Sequence, residues 1–437
     1  MGKYFGTDGM RGIVGNELTS YHSYIIGRYL GEKSKKGVVI GTDTRISSPM
    51  LEYALICGIL EGGGNAYTLG VVPTPCVSFA LRSEKYDFGV MISASHNPYH
   101  DNGIKILNCH GEKLDDNTTS EIEAYIDAPL VAVAKNYGRV EKASGDVSDY
   151  EEFLCSTIKT PLSNLRVGID ASNGSAYKIA GDIFLRLGAE VTLIGNEPNG
   201  KNINDSCGST HPDTIRALVT SKRLDVGFAY DGDSDRCIAI DKNGEIIDGD
   251  KILYILGCDL KRKGELKKDT IVATVMSNAG LNISLSKKGI KLARTNVGDR
   301  FVYEEMKSNG YALGGEQSGH IIVSKYANTG DGILTSLLLA ELSVRERKSL
   351  GELSMDVEIF PQVNKNVRVK SKEETLNSTA LWDKVRLLEK SLDGGRILVR
   401  ASGTEPLIRI LVEGKSHSLC EKITSSLEKT IEAISNA

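Results

Sequence analysis

The chain has 437 residues, too many for one compact core and enough for three or four domains at roughly 100 to 200 residues each. Its 53 Lys and Arg against 57 Asp and Glu give a net charge of −4, with no block of like charge to hold nucleic acid or a membrane surface, so a small-molecule partner is expected. The eight cysteines are scattered with no Cys-x-x-Cys pair, which argues against a disulfide scaffold or a thiolate metal site and for free thiols in a cytoplasmic protein.

The start, Met1 to Asp8, has no apolar run of the kind a secretion signal carries. The first β-rich run is Val38-Val39-Ile40-Gly41-Thr42-Asp43-Thr44, followed by a helical stretch, a strand from Ala66 to Leu69, a second helical stretch and a third strand from Phe88 to Ile92. That third strand stops abruptly at Ser93-Ala94-Ser95-His96-Asn97-Pro98. Asn102-Gly103 then reads as a turn that places Lys105 on the same loop, close behind Ser95.

The same order returns twice. A second copy runs from Arg166 to Asp170, through Val191 to Ile194, to Val226 to Tyr230, and opens onto Asp231-Gly232-Asp233-Ser234-Asp235-Arg236. A third runs from Thr270 to Ala273, through Lys291 to Ala293, to Tyr311 to Leu313, and ends in Gly314-Gly315-Glu316-Gln317-Ser318-Gly319-His320. Alternating strands and helices imply parallel or mixed sheets flanked by helices, with ligands beyond the carboxyl ends of the strands. The apolar stretch from Ile333 to Leu342 is about half the ~20 residues of a membrane span, so it reads as a core helix. Beyond about residue 365, a strand at Val367 to Val369, a charged helical segment, a hairpin from Arg396 to Val412 and a last amphipathic helix make a smaller α+β domain.

The polar motifs carry the chemistry. Asp231, Asp233 and Asp235 in a regular strand would lie about 6.6 Å apart in sequence, too far to share one ion. The backbone must curl, which Gly232 permits, and three hard carboxylates then suit Mg²⁺ or a similar cation. An EF-hand fits poorly, because Arg236 and Lys242 stand where Gly and Glu are needed. Arg400-Ala401-Ser402-Gly403-Thr404-Glu405-Pro406, with Arg409, suits either a phosphate nest or a plain hairpin turn. Glu316, Gln317, Ser318 and His320 among glycines suit sugar hydroxyls or an ordinary turn. For Ser95 there are two readings: a serine activated by His96, or one that carries a phosphoryl group. A base adjacent in sequence seldom faces the hydroxyl, no Gly-x-Ser-x-Gly elbow is present, and a dication on three aspartates is what a transferable phosphoserine needs.

These elements resemble the α-D-phosphohexomutases along the full chain. The matching motifs are Phe5-Gly6-Thr7-Asp8-Gly9-Met10-Arg11-Gly12, the Ser95 and Asp231 loops, Gly314 to His320, and Arg400 to Pro406. Glu316-Gln317-Ser318, Cys207-Gly208-Ser209-Thr210-His211 and Val297-Gly298-Asp299-Arg300 look like the glucosamine branch. Met10 and Asn199 depart from the commoner residues.

The resemblance implies three topologically similar α/β domains with mixed sheets and a smaller C-terminal α+β domain around a central active-site cleft. The segments would be 1–157 with the phosphoserine loop, 158–254 with the metal loop, 255–364 with the sugar loop and 365–437 with the phosphate-binding loop. It implies that Ser95 is the phosphoserine, that Asp231, Asp233 and Asp235 hold Mg²⁺ with it, and that Arg11 and Lys105 assist proton transfer. Arg236, Glu316, Ser318 and His320 would bind the sugar, and Arg400, Ser402, Gly403, Thr404 and Arg409 the phosphate that is not reacting. The implied activity is interconversion of glucosamine 6-phosphate and glucosamine 1-phosphate through a sugar 1,6-bisphosphate that is both intermediate and activator. Phosphomannomutase or phosphoglucomutase activity, or non-catalytic phosphosugar binding, are the alternatives. A homodimer stays open.

Overall fold

The computed structural model describes residues 2–6, 8–129, 136–402 and 406–436, so the predicted phosphate ligands Gly403 and Thr404 lie outside the described residues. The chain forms two compact units, Met1–Met276 with Ala293–Met355, and Ser277–Leu292 with Asp356–Ala437.

The first unit contains three mixed sheets built on one plan. Strand Phe88–Ile92 pairs in parallel with Val38–Thr42 and antiparallel with Asp101–Asn108. Strand Val226–Tyr230 does the same with Arg166–Asp170 and Cys237–Asp241. Strand Leu313–Gly315 does so with Thr270–Thr274 and Ile321–Val323. Each polar motif therefore sits where a strand leaves a buried sheet and turns into its antiparallel neighbour, so the three motifs occupy equivalent positions. The central strands are buried along their whole length, which is why Val38–Thr42, Val226–Tyr230 and Thr270–Thr274 read as unbroken apolar runs rather than alternating ones. Each Val, Ile or Phe buried there contributes about 1.5–3 kcal/mol of transfer free energy.

Two local expectations change. Asn102-Gly103 is not a turn: both lie in strand Asp101–Asn108, and Lys105 stands in that strand opposite Met91. Pairing on both sides overrides the turn preference, and the Asn102 amide is used locally, donating to Ser47 Oγ at 2.9 Å and Ser48 Oγ at 3.1 Å. Gly103 is needed for close approach, since a Cβ there would sit 2.5 Å from the Ser93 carbonyl oxygen. In the third sheet the strand begins at Leu313 and continues through Gly314 and Gly315, because Gly314 pairs with Val272 on one side and Ile322 on the other.

Helix Gly332–Glu346 buries Ile333, Leu334, Leu337, Leu339 and Leu342 and is N-capped by Asp331, which accepts the Leu334 N–H at 2.9 Å. No described helix is long and apolar enough to cross a membrane. None of the eight cysteines is joined in a disulfide.

The second unit is an antiparallel sheet with Leu407–Glu413 between Gln362–Arg368 and Arg396–Ala401. Val367, Leu381, Ile408, Ile410, Val412, Ile423, Leu427 and Ile431 form its core. The unit also takes in helix Ala279–Lys287, whose N-cap Asn278 exchanges hydrogen bonds with the Phe360 backbone at 2.9 and 3.0 Å, while the Ala279 N–H donates to Glu413 at 3.2 Å.

Gly103→Ala is expected to cost about 1–3 kcal/mol by forcing strands apart. Gly145→Ala, where no atom lies within 4 Å of the new methyl, should change stability by no more than about 0.5 kcal/mol. Urea denaturation of the two variants checks the difference.

Candidate active site

Ser95 is 1% exposed and holds a left-handed backbone, φ 53°. Its N–H donates to Ser93 Oγ at 3.0 Å, and its hydroxyl donates to Asp231 Oδ2 at 2.5 Å. His96 Nδ1 is more distant from that hydroxyl, 3.4 Å. Burial, with Arg236 and Arg11 nearby, pushes His96 down to about 4, so its ring is neutral near pH 7.

The aspartate loop curls at Ser234, φ 57°, rather than at Gly232. Gly232 instead provides clearance: a Cβ there would lie 2.5 Å from the Ser95 carbonyl oxygen, so only glycine lets the two loops meet. The curl brings one oxygen each of Asp231, Asp233 and Asp235 within 4.8 Å of one another, all buried. Two oxygens on a cation ligated at 2.0–2.6 Å lie up to about 4 to 5 Å apart, so the span fits one ion. Among the described residues neither Asp233 Oδ1 nor Asp235 Oδ1 makes a hydrogen bond, and both are buried. Hard, orphaned oxygens held together in this way fit Mg²⁺ or a similar cation. Burial and the neighbouring Asp235 and Asp233 raise the Asp231 carboxyl above the ordinary carboxylate range.

Cations already offset part of this charge. Lys105 Nζ lies 2.6 Å from Asp233, 3.1 Å from Asp8 and 3.6 Å from Asp235. Burial alone would lower its pKa, but these three carboxylates raise it well above the ordinary lysine range. Lys113 bridges Asp8 at 2.5 Å and Asp299 at 2.6 Å, and Arg11 pairs with Asp8 and reaches the Ala94 carbonyl at 3.4 Å. Asp235, although burial works against it, is held well below the carboxylate range by Lys105, His320 and Arg236. Thr74 donates its hydroxyl to Asp233 and its N–H to the Asp233 carbonyl at 2.9 Å.

The sugar loop joins this cluster. His320 is 2% exposed; its Nδ1 is 3.6 Å from Asp235 and its Nε2 3.6 Å from Asp299. Nε2 accepts the Gly330 N–H at 2.9 Å, which requires that nitrogen to be unprotonated and leaves the ring proton on Nδ1, facing Asp235. Burial opposes a second proton on the ring while Asp235 and Asp299 favour it, and gaining that proton at Nε2 would break the bond from Gly330. The backbones of Arg236 and His320 form a β-bridge, so the metal and sugar loops are one assembly. Glu316 is half-buried and accepts the Gly298 N–H at 3.2 Å, whereas Ser318 is exposed. Ser209, Thr210, Arg236, Gln317 and Ser318 line a cavity of about 370 Å³. A larger one, about 740 Å³, is lined by Asp8, Lys105, Lys113, Val297 and Arg300.

In the second unit Arg400 stands opposite Arg409 across the hairpin, and Arg409 donates to Ser402 Oγ at 3.2 Å. Burial and the neighbouring Arg409 lower the Arg400 pKa, and Lys372 Nζ donates to the Ser402 carbonyl at 2.9 Å. Three cations therefore gather on one strand end, as an anion site requires.

Sequence pattern does not single out Lys113, Asp299, Thr74 or Lys372. Asp8 and Asp299 lie inside matched motifs and are within reach of such a reading; Lys113, Thr74 and Lys372 carry no local signal, because only the tertiary fold brings them to the charged groups.

Family models for phosphoglucomutase/phosphomannomutase match the chain in order: α/β/α domain I at residues 2–130, domain II at 148–244, domain III at 248–359 and the C-terminal domain at 365–429. A phosphoglucosamine mutase of Lachnospira eligens is 46% identical, covering 99% of both chains. One from Streptococcus pyogenes is 49% identical over 94% of each. Among solved structures, a phosphoglucomutase/phosphomannomutase family protein of Burkholderia thailandensis superposes with a TM-score of 0.83 at 25% identity, covering 99% of this chain and 97% of that one. With all four domain types matched in sequence order and near-complete relatives at this identity, the chain belongs to the phosphoglucomutase/phosphomannomutase family of α-D-phosphohexomutases.

Proposed function

We propose that the chain interconverts glucosamine 6-phosphate and glucosamine 1-phosphate by carrying a phosphoryl group on Ser95, and so feeds UDP-N-acetylglucosamine synthesis. The supporting observation is the Ser95 hydroxyl at 2.5 Å from Asp231, at the edge of a buried set of oxygen ligands. The choice of amino sugar over glucose or mannose follows the relatives of 46% and 49% identity, which bear the name phosphoglucosamine mutase.

Phospho-Ser95 gives its phosphoryl to O1 of glucosamine 6-phosphate: the Oγ–P bond breaks, the O1–P bond forms and the proton lost from O1 ends on the departing Ser95 Oγ. The resulting 1,6-bisphosphate turns end for end and returns its 6-phosphoryl to Ser95, releasing glucosamine 1-phosphate. The same bisphosphate, entering from solution, loads an unphosphorylated Ser95. Asp231, Asp233 and Asp235 would hold Mg²⁺, which would supply dication charge against the phosphoryl oxygens. Lys105 serves as a fixed cation rather than a proton carrier, because Asp233, Asp8 and Asp235 hold its proton. Arg11 adds charge from beside Asp8. Glu316 and Ser318 meet the sugar hydroxyls, with Arg236 and His320 closing that loop onto the aspartates. Arg400, Ser402 and Arg409 carry the chemistry for a phosphate dianion, and Gly403 and Thr404 complete that loop in sequence.

Steady-state kinetics should give a kcat/KM for glucosamine phosphate well above those for glucose and mannose phosphates; a preference for either neutral sugar would overturn the assignment. Chelation of divalent metal should abolish turnover and added Mg²⁺ restore it. Thr74→Val, which removes the hydroxyl that orients Asp233 and leaves Lys105 as the side-chain partner the carboxylate still has, is expected to raise the Mg²⁺ needed for half-maximal activity by about 10- to 100-fold, measured by metal titration. Lys105→Met is expected to lower kcat by on the order of 10²-fold or more in single-turnover assays.

A further inference from the structure

Arg45 is a fully buried guanidinium outside every motif that carries the chemistry above. Its Nε donates to Asp43 Oδ2 at 2.8 Å. One terminal nitrogen donates to the Ser95 carbonyl at 2.9 Å and the Asn97 carbonyl at 2.8 Å; the other donates to the Pro98 carbonyl and, at 3.1 Å, to that of Asp101. The planar fork thus reads four carbonyls of the loop that carries Ser95, which an ammonium on a flexible stem cannot do. Asn204 approaches the same loop from the second α/β segment, with its own backbone left-handed at φ 57°. Its amide donates to the Ser95 carbonyl at 2.9 Å and the Asn97 carbonyl at 3.1 Å.

These bonds close a ring. Arg45 pairs with Asp43, Asp43 Oδ2 accepts the Ser93 hydroxyl at 2.7 Å, and Ser93 Oγ accepts the Ser95 N–H at 3.0 Å. The Ser95 carbonyl then returns to Arg45. Both peptide groups flanking Ser95 are therefore pinned, and Gly232 lies close enough that a Cβ there would come 2.5 Å from the carbonyl oxygen. The side-chain hydroxyl is the polar group left to point away, and it points at Asp231.

We propose that Arg45 and Asn204 are positioning residues for phosphoryl transfer. By gripping the Ser95 carbonyl from two elements, they hold the serine in its left-handed conformation, so that Oγ faces the aspartate loop both when it accepts and when it donates the phosphoryl group. The inference rests on Ser95 as the phosphoryl carrier. A carrier displaced by about 1 Å loses on the order of 10²-fold in rate while substrate binding, made elsewhere, is unaffected.

The test uses the full chain as Arg45→Lys, Asn204→Ala and Asn204→Asp variants. Asn204→Asp keeps the shape and sets an acceptor against the two carbonyls. Expected is a kcat reduced about 10- to 100-fold at unchanged KM in each folded variant, with Asn204→Asp below Asn204→Ala. The phosphoserine, mapped and quantified by mass spectrometry without substrate, should also lose its phosphate faster than in the parent chain. Should Arg45→Lys not fold, the two Asn204 variants decide the matter alone. A parental kcat and phosphoserine lifetime in folded Asn204→Ala and Asn204→Asp would overturn the positioning role, as would a rise in KM with kcat preserved. Absence of phosphate from Ser95 in the active parent chain would instead overturn the carrier reading itself, so the two failures are told apart.

Discussion

Three carboxylates folded into one buried loop repel one another, and the architecture of the first unit is arranged around that repulsion. In water such a loop would simply extend. Here Asp231, Asp233 and Asp235 are removed from solvent and kept within 4.8 Å, an arrangement tolerable only where positive charge converges on it. Lys105 and Arg236 provide it, and His320 turns its ring N–H toward Asp235 from the sugar loop. Removing one partner of such a cluster leaves an uncompensated buried charge, so fold and site cannot vary independently.

The remaining charge deficit is where function enters. Among the described residues, two aspartate oxygens stay without hydrogen bonds although buried, a condition that native interiors rarely accept without a ligand. Around them the ions alternate in sign, from Arg11 through Asp8 and Lys113 to Asp299, which lies 3.6 Å from the His320 ring. That alternation ties strand Gly9–Ile13 to the sugar loop some three hundred residues later in sequence. The serine is presented to this field from a neutral, tightly hydrogen-bonded turn, so the nucleophile itself adds no charge until it is phosphorylated.

Sequence pattern carries the large features because they are periodic or chemically unusual. The three repeats are legible in their buried apolar strands, and Ser95, the aspartates and the sugar loop in polar motifs that follow those strands. What escapes it is set by contacts between distant segments. Asn102-Gly103 has the composition of a turn, yet pairing with Met10 to Ile13 on one side and the Phe88 strand on the other makes it a strand. Gly232 is needed for the approach of the Ser95 loop, while Ser234 makes the bend. Arg45 looks like one of many arginines until the fold buries it against four carbonyls. Lys105 carries no mark in sequence of the three carboxylates that surround it.

Each step of the proposed reaction turns on Ser95 as the carrier of the transferred group. Intact-mass measurement of the purified active protein, before and after one turnover with isotopically labelled glucosamine 6-phosphate, tests this most directly when the modified peptide is mapped. The expected result is a single phosphoryl group on Ser95 that exchanges label with the sugar on the timescale of turnover. An active protein with no phosphate on Ser95, or with one that never exchanges, would contradict it.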